Sequence, residues 1–270
     1  MQNRHINLIA YNNFEKLQNF KSDLNSYRQE KLNSAKEHVD FIRYNFPNKR
    51  IAVLELGSGN SKTLYALERE NVLKKGYGIE ISTSRFDFAE LWKKDWNFKN
   101  VENINKNILE LNFDDFGNID LCFCVDVAFQ FLEPIDKQRT LEILNNIYRS
   151  LNVGGKVIIE LYDYERILMC LENGNVKLWE EFPPPDPWRF SLCNYIYDHE
   201  NRFLTMGKIF IKRDEFGFDE STLTLRIYKE DEFKGMLKDI GFKNIEIYYS
   251  WDREKYKQKD GEYIVVGEKQ

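Results

Sequence analysis

The stretch Val53-Leu54-Glu55-Leu56-Gly57-Ser58-Gly59-Asn60-Ser61 decides the fold of this chain. A short apolar strand runs into a turn that contains two glycines, and a helical pattern follows. Glycine allows a sharp backbone turn and leaves no Cβ in the way of an approaching ligand. In a doubly wound sheet, the ligand binds beyond the carboxyl end of the first strand. The stretch therefore predicts an α/β sheet with a ligand site at the tip of this strand.

Strand-like and helical segments alternate on both sides of that stretch, as in a parallel sheet covered on both faces. The predicted strands are 51–56, 76–81, 101–108, 119–127, 156–161, 245–250 and 263–267, and the predicted helices are 84–94, 134–151 and 230–240. Gly154 and Gly155 are expected to end the second helix, and Gly241 the third, with Phe242 packing back. We expect a doubly wound Rossmann-like sheet that is mostly parallel, with an antiparallel final strand.

The pattern changes between residues 163 and 225. Strand-like segments at 191–197, 203–211 and 221–228 are separated by short polar turns, which favours antiparallel pairing. We therefore predict three parts: an N-terminal helical cap at 1–48, the main domain at 49–162 and 226–270, and an antiparallel insertion at 163–225. The insertion is expected to cover the substrate as a lid. The alternative is an oligomerisation surface, which would make the chain a homodimer.

Composition narrows the class of protein. Lys and Arg number 39 against 44 acidic residues, which gives a net charge of -5. The sequence shows no basic stripe of the kind that binds nucleic-acid phosphates. No apolar run has the length of a membrane span, and the N-terminus shows no signal-peptide pattern. Cys122 and Cys124 alternate in an apolar run, as small buried strand residues do, and no metal site is predicted. We expect a soluble cytoplasmic protein that binds neither nucleic acid nor membrane.

The residues of the glycine turn indicate which ligand binds. A dinucleotide fingerprint needs Gly or Ala three residues after Gly59, where this chain has Lys62. Glu55 would repel a pyrophosphate but suits a cation such as the sulfonium and amino groups of S-adenosylmethionine. The stretch resembles motif I of the class I S-adenosylmethionine-dependent methyltransferases, acidic-x-Gly-x-Gly, with Ser61 where that family usually has a third glycine.

The resemblance extends over roughly residues 50 to 267 and implies the cofactor contacts. Glu80, 25 residues after Glu55, matches the ribose acceptor of the family, and Ile81 the residue that packs on adenine. Asn107 and Ile108 stand where the family has Asp and an apolar residue that contact the adenine. The predicted cofactor-binding residues are Tyr11, Glu55, Gly57, Ser58, Gly59, Glu80, Ile81, Asn107, Ile108 and Val125.

The acceptor side is less defined by sequence. The segment that ends in Val125-Asp126-Val127 resembles the family's fourth strand, whose end lies beside the reactive methyl. Gln130 replaces a His that many members use as a general base. The Asn/Asp-Pro-Pro-aromatic signature of nucleobase methyltransferases is lacking. Asp126, Gln130 and Tyr162 are the predicted catalytic residues, and Arg226 is a further candidate for lining the pocket.

These features predict a methyltransferase that acts on an O or N atom of a small polar molecule. The overall pattern resembles enzymes that modify sugars or nucleotide-linked precursors of surface polysaccharides. Three alternatives stay open at this point. They are a nucleic-acid methyltransferase, which the acidity disfavours, a dehydrogenase, which Glu55 and Lys62 disfavour, and a catalytically silent partner subunit that binds S-adenosylmethionine.

Overall fold

The computed structural model describes residues 6–7, 15, 24–172, 177–182, 188–213, 216–256 and 261–270. Its helices are α1 (Leu24–Ser34), α2 (Lys36–Asn45), α3 (Lys62–Arg69), α4 (Thr83–Trp96), α5 (Lys137–Ser150), α6 (Glu165–Glu172) and α7 (Glu230–Ile240). Its strands are β1 (Ile6–Asn7), β2 (Ile51–Leu56), β3 (Leu73–Glu80), β4 (Val101–Asn105), β5 (Ile119–Cys124), β6 (Leu151–Tyr162), β7 (Lys177–Glu181), β8 (Trp188–Asp198), β9 (Phe203–Lys212), β10 (Phe218–Arg226), β11 (Lys243–Tyr248) and β12 (Glu262–Glu268).

The main sheet has seven strands in the order β11-β12-β6-β5-β2-β3-β4. The strands β2 to β6 pair in parallel, whereas β12 is antiparallel to both of its neighbours. The predicted doubly wound sheet with an antiparallel final strand is thereby confirmed. The chain leaves β2 toward β3 and β4 on one side, and β5 and β6 lie on the other. The carboxyl ends of β2 and β5 therefore form the switch point at which such sheets bind ligands.

Two hydrophobic clusters cover the two faces of this sheet. Helices α1 to α4 pack on one face, and α5 and α7 pack on the other. Alternate residues of β5 point to opposite clusters: Leu121 and Phe123 to the first, Cys122 and Cys124 to the second. Both cysteines are buried, as the sequence predicted. Because both faces are covered, all six residues of β2 are buried.

Residues 163 to 226 supply four strands of a second antiparallel sheet, and β1 supplies the fifth, in the order β1-β10-β9-β8-β7. The sequence predicted three of its strands but not β7, β1 or the helix α6. One face of the sheet packs its apolar side chains on α6 and on Phe131 of the main domain. The opposite face carries exposed apolar side chains, among them Trp179, Leu192 and Ile196.

Several predicted boundaries are wrong, for local physical reasons. Helix α5 begins after Asp136, whose side chain accepts a hydrogen bond from the backbone N–H of Arg139. It ends at Ser150, and β6 starts at once, so Gly154 and Gly155 lie inside a strand and end no helix. Strand β4 stops at Asn105, because a 3-10 turn begins at Ile108.

The end of α7 follows the prediction. Gly241 has φ +121°, a conformation that favours glycine, and the backbone N–H of Phe242 donates to Leu237. Phe242 itself is buried. Within the described ranges, no helix combines the length and the apolar composition that a membrane crossing needs.

Candidate active site

The glycine turn after β2 tolerates no side chain at its first position. Gly57 has φ +73°, and a Cβ there would lie 2.6 Å from the Cβ of Ala128. Gly59 is also left-handed, at φ +55°. Ser61, where the family has a third glycine, adopts φ +61° and is held by a 2.7 Å hydrogen bond from its hydroxyl to Asn103. Gly57, Gly59 and Ser61 of this turn are therefore all left-handed.

Glu80 lies at the carboxyl end of β3 and faces this turn. One carboxylate oxygen accepts from the backbone N–H of Gly59 at 2.8 Å and the other from that of Ser82 at 2.7 Å. A carboxylate oxygen has more than one lone pair, so both oxygens can still accept from the hydroxyls of a ribose. The next residue, Ile81, is exposed, as a side chain that covers an adenine from solvent would be before the ligand binds.

The other predicted adenine contacts lie at the tip of β4. Asn107 precedes a 3-10 turn, and its side-chain oxygen accepts from the backbone N–H of Leu109 at 3.0 Å. The Asn107 oxygen is thus engaged in shaping the turn, while Ile108 is partly buried against the core. Val125 is buried at the end of β5, on the other side of the glycine turn.

Glu55 is a buried carboxyl with unmet hydrogen-bonding capacity. It is 2% exposed, and its Oε2 atom has no hydrogen-bond partner among the residues that the structure describes. Burial raises the pKa of Glu55 to about 8. A hydrogen bond from Thr63 and the charge of Lys62 lower this pKa but do not offset the effect of burial. An orphaned buried carboxyl beside a turn that excludes a Cβ fits a ligand with a positive charge. The amino group and sulfonium of S-adenosylmethionine meet that requirement.

A set of polar and aromatic contacts continues from Glu55 toward the C-terminal part of the chain. Thr63 lies 3.4 Å from Nδ1 of His38, and the His38 ring lies 4.4 Å from that of Trp251. Burial, and then the charge of Lys62, lower the pKa of His38 to about 4, so this ring is neutral at physiological pH.

The turn after β5 is the strained part of the site. Asp126 and Val127 have φ of +54° and +58°, so two consecutive residues with a Cβ are left-handed. Such conformations cost about 1–3 kcal/mol each, and a β-branched Val is a genuine outlier there. The Asp126 side chain is exposed at the sheet edge. Its backbone N–H donates to Oε2 of the buried Glu160 at 2.7 Å.

Gln130 and Tyr162 have structural contacts in addition to their position near Asp126. The Gln130 amide is fully buried, donates to the backbone carbonyls of Tyr162 and Arg226, and accepts from the N–H of Tyr162. It thereby joins the ends of β6 and β10. The Tyr162 hydroxyl donates to Glu262 at 3.0 Å, and burial followed by nearby carboxylates raises the pKa of Tyr162, which keeps the phenol neutral.

Arg226 lies behind Gln130 and is fully engaged. Its guanidinium donates to Glu133, to Glu232 and to the backbone carbonyl of Ile227. The side chain is buried, so these bonds compensate its charge. Its position favours a scaffolding contribution over direct contact with a ligand.

The structure therefore brings most of the predicted site residues to one sheet edge. Glu55, Glu80, Val125 and Asp126 end neighbouring strands or begin the loops after them. Tyr11 lies outside the described residues.

Sequence reasoning missed Glu15, which reaches the site from the N-terminal segment. Its carboxylate accepts from Asn60 of the glycine turn at 2.6 Å and from the Tyr27 hydroxyl on α1 at 2.7 Å. Glu160 and Trp251 were missed as well. No local motif marks these three residues, because each acts through a partner far away in the chain.

Comparison with known proteins agrees with this geometry. The family described as "Methyltransferase domain" matches residues 47–187. A carboxy-S-adenosyl-L-methionine synthase from Helicobacter hepaticus is 27% identical over 79% of this chain and 78% of its own length. A S-adenosylmethionine-dependent methyltransferase from Clostridium acetobutylicum superposes with a TM-score of 0.73 at 19% identity, over 96% of this chain and 99% of that one. The sugar N-methyltransferase KedS8 from Streptoalloteichus sp. superposes with a TM-score of 0.61 at 14% identity, over 87% and 86%.

The chain belongs to this methyltransferase family. More specifically, it is a class I S-adenosylmethionine-dependent methyltransferase, and the resemblance found in the sequence is confirmed. S-adenosylmethionine is its cofactor.

Proposed function

We propose that this enzyme transfers the methyl group of S-adenosylmethionine to the amine nitrogen of a small polar acceptor, an amino sugar that is free or linked to a nucleotide. One observation carries the proposal: the exposed carboxylate of Asp126 stands on a strained turn at the switch-point edge. Strained residues held in place by their surroundings cluster at functional sites. A carboxylate at that position binds an ammonium group and can take its proton.

The charges around Asp126 favour an amine over an alcohol. Glu160 and Glu262 lie near it, and the charges of Asp126 and Glu262 add to the burial that raises the pKa of Glu160. The nearby His38 is neutral because its pKa is lowered. An edge with an excess of carboxylates attracts cations such as an ammonium group.

Each group then has a defined task. When bound, the cofactor supplies a methyl group on a positively charged sulfur, which keeps the bonding electron pair as the methyl leaves. Glu55 would pair with the cofactor's positive charge, and the Glu80 carboxylate would accept hydrogen bonds from its ribose hydroxyls. The acceptor nitrogen uses its lone pair for the new N–C bond and gives one proton to the carboxylate of Asp126. Because Asp126 is exposed, the proton passes on to water.

Two parts of the chain are proposed to enclose the acceptor. Residues 163–225 leave from the end of β6, beside Asp126, and loops at that edge line the ligand crevice in doubly wound sheets. Residues 1–48 would cover the cofactor, since Glu15 anchors this segment on the glycine turn. We include Tyr11 in this cover. The name of KedS8, a sugar N-methyltransferase, supports an amino sugar as the acceptor.

Mass spectrometry tests the proposal. The protein is incubated with S-adenosylmethionine and matched pairs of sugars and nucleotide sugars that differ only in amine against hydroxyl. We expect a gain of one CH₂ on the amines, with formation of S-adenosylhomocysteine, and no gain on the hydroxyl partners. Asp126→Asn should lower this rate at least tenfold, in the range of a lost acid–base group. Methylation of the hydroxyl partners alone would refute the proposal that the acceptor atom is an amine nitrogen.

A second candidate follows from the Helicobacter hepaticus relative, whose product is carboxylated S-adenosylmethionine. In that case the cofactor itself would gain the mass of CO₂ when a carboxylate donor is supplied. Such a product needs a cation for its carboxylate, and the buried Arg226 already bonds two carboxylates and a carbonyl. Tight cofactor binding with neither mass change would instead favour a catalytically silent partner subunit.

A further inference from the structure

We propose that Glu160 is a positioning residue for methyl transfer: its carboxylate ties the backbone of Asp126 to the indole of Trp251 and so holds the Asp126 carboxylate in place for the acceptor. The proposal rests on the function proposed for Asp126. It adds a residue that lies on a different strand and touches neither acceptor nor cofactor.

The turn at Asp126 requires an external tie. Asp126 and Val127 are both left-handed, a conformation that neither side chain prefers. On the far side, the backbone N–H of Gln130 donates to the carbonyl of Val127 at 2.9 Å. On the near side, the N–H of Asp126 donates to Oε2 of Glu160 at 2.7 Å. Without Glu160, the Asp126 end of this turn loses its charge-assisted bond.

Glu160 is itself fixed from the other side. It lies on β6 and is 3% exposed, and its second oxygen, Oε1, accepts from the indole N–H of Trp251 at 3.0 Å. Trp251 follows β11 and packs on His38, Phe41 and Phe123. The two oxygens of the Glu160 carboxylate therefore connect the turn at Asp126 to the packed aromatic residues beneath α2.

The bridge is expected to depend on pH. Among the described residues, the titratable groups that face Glu160 are Asp126 and Cys124 on the β5 side, Tyr162 on its own strand and Glu262 on β12, with His38 behind Trp251. Burial, and then the charges of Asp126 and Glu262, raise the pKa of Glu160 to about 7. A protonated carboxyl has one good acceptor oxygen left, so one of the two N–H donors loses its partner. The turn is held fully above about pH 7 and loosened below it.

The variant Glu160→Gln tests this bridge, since it keeps the shape but presents one acceptor and one donor. We expect kcat to fall about tenfold or more while the acceptor KM changes little, because misplacement by a fraction of an ångström lowers the rate and not the binding. In the wild type, kcat/KM should rise through about pH 7, and in Glu160→Gln this inflection should vanish. Glu142→Gln, an exposed change on α5, is the matched control and should alter neither kcat nor the pH inflection.

Two readouts need no acceptor and separate this proposal from the proposed function. The fluorescence of Trp251, taken as the difference between wild type and Trp251→Phe, should titrate near pH 7 and become flat in Glu160→Gln. Affinity for S-adenosylhomocysteine should stay within about twofold, since Glu160 makes no cofactor contact. A retained inflection in Glu160→Gln would overturn the proposal. So would a parallel loss of cofactor affinity and thermal stability, which would show a merely structural role.

Discussion

The two sheets of this protein differ in how their faces are covered. In the seven-stranded sheet, helices cover both faces, and β2 is buried along its whole length. In the five-stranded sheet the described residues cover one face, and on the other Trp179 is 67% and Ile196 60% exposed. A sheet covered on both sides can hold strained turns and buried carboxyls at its edge. A sheet covered on one side has a bare face that can change without disturbing the cofactor site.

The difference suggests a division of labour. The proposed cofactor residues Glu55 and Glu80 lie on strands of the seven-stranded sheet, where bonds to the backbone and buried neighbours fix them. The five-stranded sheet lies against the same edge through Phe131 and α6, and we propose that it selects the acceptor. Changes in the first region should therefore affect cofactor binding, and changes in the second should affect turnover.

The largest effect is expected from Gly57→Val, in the turn after β2 of the seven-stranded sheet. The new side chain would meet Ala128 and would be forced to a positive φ, which a β-branched residue strongly resists. Binding of S-adenosylmethionine should become undetectable by calorimetry, while circular dichroism shows the fold retained. A variant that still binds normally would place the cofactor elsewhere.

Replacing residues 163–225 by a short linker should eliminate turnover and leave cofactor affinity largely intact. The loss follows if this segment forms one wall of the acceptor pocket. Trp179→Ser on the bare face is the matched control and should preserve both properties, as exposed substitutions usually do. If the shortened protein turns over its acceptor at an ordinary rate, residues 163–225 do not act as a lid. A change from dimer to monomer with activity preserved would favour the oligomerisation surface.

Glu80→Ala should weaken the binding of S-adenosylmethionine by a smaller amount. Loss of charge-assisted hydrogen bonds to two hydroxyls costs about 1.5–3 kcal/mol, or roughly 10- to 150-fold in affinity. The N–H groups of Gly59 and Ser82 also lose their acceptor, so the glycine turn should loosen. Calorimetry measures the affinity, and an unchanged value would remove Glu80 from the site.

The smallest effect concerns the pH dependence of cofactor binding. Glu55 has a pKa raised to about 8 by burial, and pairing with a cation requires its ionised form. Below about pH 8, binding of S-adenosylmethionine must therefore release a proton, and affinity should rise with pH by up to about tenfold per pH unit before it levels off. Calorimetry in buffers of different ionisation enthalpy counts the released proton. Glu55→Gln should bind S-adenosylmethionine with an affinity that does not depend on pH in this way. If the wild type binds without releasing a proton, Glu55 does not pair with the cofactor's positive charge.

The sequence by itself determined the fold class, the glycine turn, the cofactor and the strand ends that carry Glu55, Glu80 and Asp126. These features depend on spacing within a few residues, because a buried strand, a left-handed turn and a following helix are local patterns. The position of Ser61, where the family usually has a third glycine, was also readable from the sequence, but its left-handed conformation came from the structure.

Only the tertiary structure decided the surroundings of those residues. Glu160 meets Asp126 across 34 residues and Trp251 across 91, and Glu15 reaches Asn60 across 45. Strand β1 was likewise set by its pairing with the distant strand β10. The position of Gly154 within β6 was set by the pairing of β6 with β5. The physical reason is that burial and hydrogen-bond partners depend on which strands become neighbours, and a single sequence records this neighbourhood in no local pattern.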